Sequence, residues 1–265
     1  MTQTIALVGP TGVGKTDVSI ALARRLSTRG GSARHIALAG VRRSIVEDAS
    51  GGDAEIVGCD SMQVYRRMAM LTQQPTPAQR AEIPHHLIDC VEPAESFSVG
   101  QYRPMALAAI HAIHQRGQSV VLVGGTGLYL KALTKGLCSA PPADDHVRAQ
   151  LWEAIQQQGS PVFHERLQRI DPLAASKIHP NDARRLVRAL EVYELTGKPL
   201  SNFWKQSAET DWSITTAPAL QRMVLIGLTR DRDELYERIN RRVERMIREE
   251  GVLHGNSGDT IQFPK

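Results

Sequence analysis

Eight consecutive residues near the N-terminus have the types and spacing needed to hold a phosphate group. The segment Gly9, Pro10, Thr11, Gly12, Val13, Gly14, Lys15, Thr16 matches the pattern G-x-x-x-x-G-K-[ST] at every defined position. Glycines in this pattern let backbone N–H groups converge on phosphate oxygens, and the following helix adds the positive end of its dipole. Lys15 supplies a point charge, and the Thr16 hydroxyl is placed to ligate Mg²⁺. The segment predicts a site for a diphosphate or triphosphate.

Two further loops carry polar groups that could complete this site. The apolar run 55–59 leads into Asp60, and the run 120–123 leads through two glycines to Thr126. The carboxyl ends of strands in an open parallel sheet share one crevice, so both side chains are expected to face a bound diphosphate. A carboxylate there could hold a metal-bound water or accept a proton from a nucleophile. An aspartate that only caps a turn explains Asp60 equally well.

The usual residues for nucleotide hydrolysis are sparse. Many phosphate-loop enzymes carry a metal-binding aspartate where this chain has Gly124 and Gly125, and Asp89 is a weak substitute. The chain also has no Asn-Lys-x-Asp tetrad for reading guanine. A kinase or ATPase therefore stays an alternative of lower rank.

Basic and histidine clusters admit structural explanations. Arg184 and Arg188 lie one helical turn apart and suit a phosphate backbone, although a solvated helix face explains them as well. The pair His85-His86 has no third ligand at metal-binding spacing, which favours a structural role. Arginines alternate with glutamates over residues 237–250, which is typical of a salt-bridged surface and only secondarily of an RNA-facing one.

The elements that must position these residues are short apolar strands alternating with amphipathic helices. Strands are predicted at 5–8, 55–59, 87–88, 120–123 and 223–228, and helices at 17–26 and 231–250, with Asn181-Asp182 capping another. The predicted fold class is α/β: a P-loop NTPase-like parallel sheet with helices on both faces and a helical insertion domain. The core covers 1–140 and returns at 206–254, the insertion covers 141–205, and 255–265 form an aperiodic tail.

Composition limits the classes of protein to consider. The 265 residues are 42% hydrophobic and 23% charged with a net charge of +4, which permits a polyanionic partner. Aromatic residues make up only 5%, which disfavours an RNA surface built on stacked aromatic platforms. The three cysteines are far apart, and no signal segment or membrane-length apolar stretch is present. We therefore expect a cytoplasmic protein with reduced thiols and no membrane association.

Five motifs in order give the chain a specific resemblance. GPTGVGKT, DSMQVYRRM, PHHLID, VGGTGLYLKAL and HPNDARRLVRALEVYELTGKPLS resemble those of bacterial-type tRNA dimethylallyltransferases. The resemblance implies transfer of a dimethylallyl group from dimethylallyl diphosphate to the N6 amine of an adenosine, with Mg²⁺ as cofactor. That adenosine lies 3′ of the anticodon in tRNAs reading codons that begin with U. The implied partner is the anticodon stem-loop, and we expect a monomer.

The resemblance also implies residue roles. Asp60 would be the general base, Lys15 and a Mg²⁺ on Thr16 would stabilise the diphosphate leaving group, and Thr126 would act near the reacting base. The residues implied to contact tRNA are Asp60, Ser61, Met62, Gln63, Thr126, Arg148, Arg184, Arg185, Leu186, Val187 and Arg188.

Three departures from the family pattern qualify these expectations. Residues 27–53 interrupt the usual short connection, Gln74 stands where the family usually has lysine, and the similarity ends near Leu253. They predict a truncated or altered version with intact diphosphate binding and weakened tRNA binding. Two alternatives stay open beside the main one: a prenyltransferase acting on free adenylate, and a non-catalytic phosphate- or RNA-binding remnant.

Overall fold

The computed structural model describes residues 2–27, 53–209, 220 and 223–248. The predicted tail and all but the ends of the predicted inserted loop lie outside the described residues. The chain divides into two compact units, Met1–Thr134 with Thr216–Lys265, and Lys135–Thr215. The predicted helical insertion lies within the second unit.

The first unit is organised around one parallel sheet. Its strands are β1 (Thr4–Val8), β2 (Ala54–Gly58), β3 (His85–His86), β4 (Ser119–Gly124) and β5 (Val224–Gly227). They lie side by side in the order β3-β2-β4-β1-β5, and every neighbouring pair is parallel. The parallel sheet predicted from the alternation of apolar strands and helices is therefore confirmed.

Eleven helices are described along the chain. They are α1 (Lys15–Ser27), α2 (Ala69–Thr72), α3 (Pro77–Glu82), α4 (Val99–Gln115), α5 (Gly127–Lys135), α6 (Asp145–Gln158), α7 (Ser160–Ile170), α8 (Pro172–Ala175), α9 (Ala183–Thr196), α10 (Leu200–Glu209) and α11 (Arg232–Arg248). None of these helices has the length and apolar character needed to cross a bilayer.

Helices cover the sheet on both faces because the central strands are apolar on both sides. Ile5 and Val121 pack with α1 on one face, whereas Val120 and Leu122 pack with Tyr102 of α4 on the other. Burying one such aliphatic side chain contributes roughly 1.5–3 kcal/mol, so these two apolar layers hold the sheet between its helices.

The third strand differs from its prediction. The sequence predicts it at residues 87–88, but the strand occupies His85–His86 and pairs with Ile56 and Val57 of β2. Leu87 has a φ of 57°. A residue in that left-handed region cannot continue an extended strand, so the chain turns where the apolar pattern alone predicts pairing.

Helices α6 to α10, joined by irregular connections, make up most of the described part of the second unit. Its core includes Leu151, Phe163, Leu167 and Leu190. The predicted capping residue of α9 is confirmed in Asp182, whose side chain accepts a hydrogen bond from the backbone N–H of Arg185.

Candidate active site

The phosphate-loop segment forms the turn between β1 and α1. Val13 is buried, while Gly12 adopts a φ of 83°, which favours glycine. Lys15 Nζ donates hydrogen bonds to the carbonyl oxygens of Gly9 at 2.8 Å and Pro10 at 2.9 Å. The ammonium group is therefore held against the loop rather than extended into solvent.

Lys15 shares its surroundings with an anion and a second cation. Burial lowers the pKa of Lys15, the nearby Asp60 carboxylate opposes this, and the Arg242 guanidinium lowers it further. These effects place the predicted base and an arginine of α11 within electrostatic range of the lysine.

The turn that follows β2 fixes Asp60. Asp60 Oδ1 accepts a 2.9 Å hydrogen bond from the N–H of Met62, so the carboxylate closes its own turn. Thr126 Oγ1 accepts from the N–H of Ser61 at 2.9 Å and donates to Ser61 Oγ at 3.2 Å. The loop after β4 therefore holds the loop that carries the predicted base.

Strand β4 and the residue that follows β2 approach closely at Gly124 and Cys59. A Cβ atom added to Gly124 would lie 1.9 Å from the carbonyl oxygen of Cys59, which leaves no room for a side chain. The Thr126 N–H also donates to that carbonyl at 3.2 Å. Burial raises the pKa of the Cys59 thiol to about 11, which makes it a packing group rather than a nucleophile.

Two glutamine side chains join this turn to the segment around α2. Gln63 Nε2 donates to the carbonyl oxygens of Thr72 at 3.1 Å and Gln73 at 2.9 Å. Gln74 Nε2 donates to the carbonyl oxygens of Gln63 at 2.9 Å and Tyr65 at 2.8 Å. The residue at the usual lysine position therefore braces the loop through two donor contacts.

Helix α11 lies across the phosphate loop. Arg238 Nε donates to the carbonyl oxygen of Gly12 at 2.9 Å, and a Cβ atom on Gly12 would lie 3.0 Å from Ile239. Arg245 donates to Gln73 Oε1 at 3.3 Å. The predicted salt-bridged surface is confirmed for Arg241, which pairs with Glu237.

These elements enclose one cleft of about 1010 Å³ within the first unit. Its lining comprises Thr11, Gly12, Gly14, Lys15, Thr16 and Asp17 of the phosphate loop and α1; Asp60, Met62 and Gln63 of the turn after β2; Met68, Leu71, Thr72, Gln73, Gln74, Thr76 and Gln79; and Arg238, Arg241, Arg242 and Arg245 of α11. Ser61 and Thr126 are not part of this lining. The cleft therefore combines a cationic wall, the two carboxylates of Asp17 and Asp60, and an apolar patch.

Four arginines of α11 line the cleft, whereas the sequence favours a salt-bridged surface for them. A signal was present, because residues 238, 242 and 245 are spaced as one stripe of a helix. Charge alternation alone could not tell a stripe that faces solvent from one that faces a cleft.

Of the residues considered for metal binding, Asp89 and His86 pair with other side chains, and His85 Nδ1 lies 2.6 Å from the carbonyl oxygen of Ile83. Asp89 pairs with Arg80 at 3.1 Å, and His86 Nε2 lies 2.6 Å from the Glu55 carboxylate. In the described parts of the chain, no group of three or more histidine, cysteine or acidic side chains could hold a metal.

The predicted RNA-contacting residues of the second unit fall into three environments. Leu186 and Val187 are buried in its core. Arg148 and Arg188 both donate to Glu191 Oε2, at 3.0 and 2.6 Å, and Glu191 has no exposed surface. Arg185 pairs with Asp182 at 3.3 Å, and Arg184 is exposed. The arginines keep exposed surface, whereas the two aliphatic side chains do not.

Comparison with known proteins relates this chain to a single family. The family model described as IPP transferase matches residues 63–254. The chain is similar to the tRNA dimethylallyltransferase of Syntrophobacter fumaroxidans, with 42% identity over 92% of this chain and 61% of that protein. It is also similar to the tRNA dimethylallyltransferase of Geobacter sulfurreducens, with 41% identity over 97% of this chain and 72% of that protein.

Two solved structures of transferases with related names are also similar to this chain. The full-length tRNA isopentenylpyrophosphate transferase of Bacillus halodurans has a TM-score of 0.52 at 38% identity, over 95% of this chain and 67% of that one. A eukaryotic dimethylallyltransferase acting on tRNA has a TM-score of 0.70 at 27% identity, over 96% of this chain and 54% of that one. This chain therefore spans about half to seven tenths of the length of the proteins it matches.

Proposed function

The chain belongs to the IPP transferase family, and we propose that it transfers a dimethylallyl group from dimethylallyl diphosphate to the N6 amine of an adenosine in tRNA. The acceptor is the adenosine 3′-adjacent to the anticodon in tRNAs reading codons that begin with U. The observation that carries the proposal is that Lys15 of the phosphate loop and the Asp60 carboxylate line the same cleft.

The cationic wall of the cleft is suited to a diphosphate leaving group. Lys15 belongs to the phosphate loop itself. Helix α11 brings Arg238, Arg242 and Arg245 to the same cleft. Negative charge accumulates on the diphosphate as the allylic C–O bond breaks, and cations placed beforehand stabilise that charge most where water is excluded. The apolar patch of Met62, Met68 and Leu71 suits the five-carbon chain.

Asp60 is the proton acceptor in this proposal. As the C–O bond breaks, the adenine N6 nitrogen forms the new C–N bond, and one N6 proton passes to the carboxylate. An exocyclic amine is a poor nucleophile until it sheds the positive charge that develops on attack, so a positioned base accelerates the step. The hydrogen bonds from Met62 to Asp60 and from Ser61 to Thr126 keep the carboxylate in place. Thr126 acts on this turn as a positioning residue.

The donor set of the cleft fits Mg²⁺. The Thr16 hydroxyl lines the cleft and is a hard oxygen ligand of the kind that Mg²⁺ takes. Magnesium usually keeps several waters and binds through one or two protein groups plus substrate phosphates, so this one protein donor suffices. When bound, the ion would supply charge neutralisation on the diphosphate.

The second unit supplies the proposed contacts with tRNA. Arg184 is exposed, and the side chains of Arg148 and Arg188 keep 37% and 32% of their surface exposed although both pair with Glu191. Arginines held in this way can still direct their remaining N–H groups to phosphate oxygens, which position RNA without reading its sequence.

A label-transfer assay tests the proposal. The chain is incubated with radiolabelled dimethylallyl diphosphate, Mg²⁺ and either unmodified tRNA or AMP, and label is expected in tRNA only. Label in AMP alone would support the adenylate prenyltransferase instead. No transfer by protein shown by circular dichroism to be folded would favour the non-catalytic remnant.

A further inference from the structure

Arg67 carries a cation on a backbone conformation that residues other than glycine rarely adopt. Its φ is 59°, in the left-handed region. There the Cβ atom lies too close to the following carbonyl oxygen, which costs free energy. The Arg67 N–H donates to Asp89 Oδ1 at 3.2 Å, but this contact belongs to the backbone and does not depend on the side chain. The turn itself therefore does not require arginine at this position.

The other strained residues use their side chains within the fold. In the described ranges, three more non-glycine residues have a positive φ, namely Gln73, Leu87 and Asp89. Leu87 is buried, Asp89 pairs with Arg80, and Gln73 Nε2 donates to a backbone carbonyl of α2. For each of these three, the side chain gives a structural reason for the residue type. Arg67 differs from them in this respect.

Stability does not explain the arginine. The Arg67 side chain is 73% exposed, and its one partner in the described part of the chain is Glu92, whose Oε2 accepts from Nη2 at 2.7 Å. Arg66 Nη1 donates to the other oxygen of the same carboxylate at 3.1 Å. An exposed pair of this kind contributes less to stability than a left-handed backbone costs. Two guanidinium groups share one carboxylate, so the cluster keeps a net positive charge and unused N–H donors.

This cluster lies beside the cleft but outside it. Met68, the next residue in the chain, lines the cleft, whereas Arg66 and Arg67 do not. A dimethylallyl diphosphate bound at the phosphate loop stays within the cleft and does not need these groups. A ligand that reaches them must extend beyond the cleft wall, and it must be anionic.

We infer that Arg67, with Arg66 beside it, binds a phosphate of the RNA backbone on the outer side of the cleft wall. This inference rests on the proposed function, because RNA reaches this place only if its adenosine enters the cleft. A guanidinium group suits the role, since its planar fork can donate two parallel hydrogen bonds to phosphate oxygens. The contact positions the RNA without reading its sequence. Backbone strain of this kind is typically retained where function requires it.

Three variants separate a role in RNA binding from a role in folding. Arg67→Gly removes the cation and the strain together, whereas Arg67→Lys keeps the charge on the same strained backbone. Arg24→Gln is the matched control. Arg24 is also an exposed arginine with one carboxylate partner, Glu82, but it lies in the last turn of α1, at the end far from the phosphate loop.

The experiment measures binding of a fluorescein-labelled anticodon stem-loop RNA by anisotropy over a series of KCl concentrations, without dimethylallyl diphosphate. Arg67→Gly is expected to raise the dissociation constant about three- to tenfold. It should also reduce the steepness of the plot of log K against log[KCl] by roughly 0.7–0.9, the loss of one phosphate contact. Arg67→Lys should keep the wild-type steepness, and Arg24→Gln should keep both values.

Urea unfolding of the same proteins gives an independent readout. The midpoint of Arg67→Gly is expected to be higher than that of the wild-type chain, because relief of the left-handed strain outweighs the added freedom of the unfolded chain. A stabilising substitution that weakens RNA binding is the result that a purely structural role for Arg67 does not produce.

Five results would overturn the inference: unmeasurable RNA binding by the wild-type chain, unchanged binding in Arg67→Gly, a steepness lost in Arg67→Lys, an equal loss of affinity in Arg24→Gln, or a lower urea midpoint in Arg67→Gly. Calorimetric titration with inorganic diphosphate should give the same affinity for Arg67→Gly as for the wild-type chain. A parallel loss there would assign Arg67 to the diphosphate site and overturn the inference as well. Because no prenyl donor is present, a chain that binds RNA through Arg67 but transfers no label would contradict the proposed function alone.

Discussion

Arg238 donates a hydrogen bond of 2.9 Å from Nε to the carbonyl oxygen of Gly12, and the two residues are 226 positions apart in the chain. This contact fastens α11 to the middle of the phosphate loop. It also brings the arginine stripe of that helix to the cleft that contains Lys15 and Asp60. This cleft is consequently built from both ends of the described chain.

Arg238→Leu is expected to weaken diphosphate binding by about tenfold, because a charge-assisted contact is lost together with the anchor on Gly12. Isothermal titration with inorganic diphosphate measures the change. Arg232→Leu is the control, since Arg232 lies on the same helix and its guanidinium contacts Tyr236 instead. Equal losses in both variants would point to general helix destabilisation.

Asp60→Asn is expected to lower the single-turnover rate of label transfer by about 10²–10⁴-fold, the usual contribution of a positioned base. The asparagine oxygen can still accept from Met62, so the turn and the affinity for diphosphate should persist. Asp89→Asn serves as control, because that carboxylate pairs with Arg80. A transfer rate unchanged in Asp60→Asn would remove this residue from the mechanism.

Gly124→Ala is expected to destabilise the chain by roughly 1–3 kcal/mol, since a methyl group cannot lie 1.9 Å from the Cys59 carbonyl without moving a central strand. Thermal unfolding followed by circular dichroism measures the loss. Gly127→Ala is the matched control, because an added Cβ there meets no atom within 4 Å. It should be neutral or slightly stabilising in a helix.

The acid limb of the stability curve is expected to depend on Glu55 of β2. Burial alone would raise the pKa of this carboxyl, but its hydrogen bonds with Arg116 and His86 outweigh burial and lower the pKa below its ordinary value of 4.5. A carboxyl with a depressed pKa stabilises the folded state above its unfolded pKa, and that contribution is lost as the pH falls through the folded value.

Glu55→Gln should therefore reduce the free energy of unfolding at pH 7 and flatten its decline below pH 4.5. Urea titrations between pH 3 and 7 measure both effects. Glu82→Gln is the control, because its partner Arg24 is a surface residue and such pairs contribute little. An acid limb of unchanged slope in Glu55→Gln would contradict the assignment.

Glu191→Gln is expected to destabilise the chain by roughly 1.5–3 kcal/mol, because two arginines lose their charge-assisted hydrogen bonds to the buried carboxylate they share. Glu194→Gln, which breaks an exposed pair with Arg166, should cost at most ~1 kcal/mol. Chemical denaturation measures both. Similar small losses in the two variants would show that the buried pair contributes no more than a surface pair.

The placement of the phosphate-loop segment between a strand and a helix could be predicted from the sequence because it depends on local patterns. Glycines, Lys15 and Thr16 act through the conformation of eight consecutive residues, and a strand before them and a helix after them follow from short-range patterning. The position of Asp60 at the carboxyl end of a parallel strand follows in the same way, since all such ends meet at one edge. The parallel sheet and the cap at Asp182 likewise follow from local patterns.

Only the tertiary structure decided which polar groups are engaged and which face the cleft. Residues 238, 242 and 245 form a stripe in the sequence, yet only the packing of Ile239 against Gly12 turns that stripe toward Lys15. Gln63 carries no sign in the sequence that its nitrogen is held by Thr72 and Gln73. Hydrogen bonds and ion pairs between distant residues depend on angles and distances that periodicity does not contain, and they determine here which end of a side chain a ligand would meet.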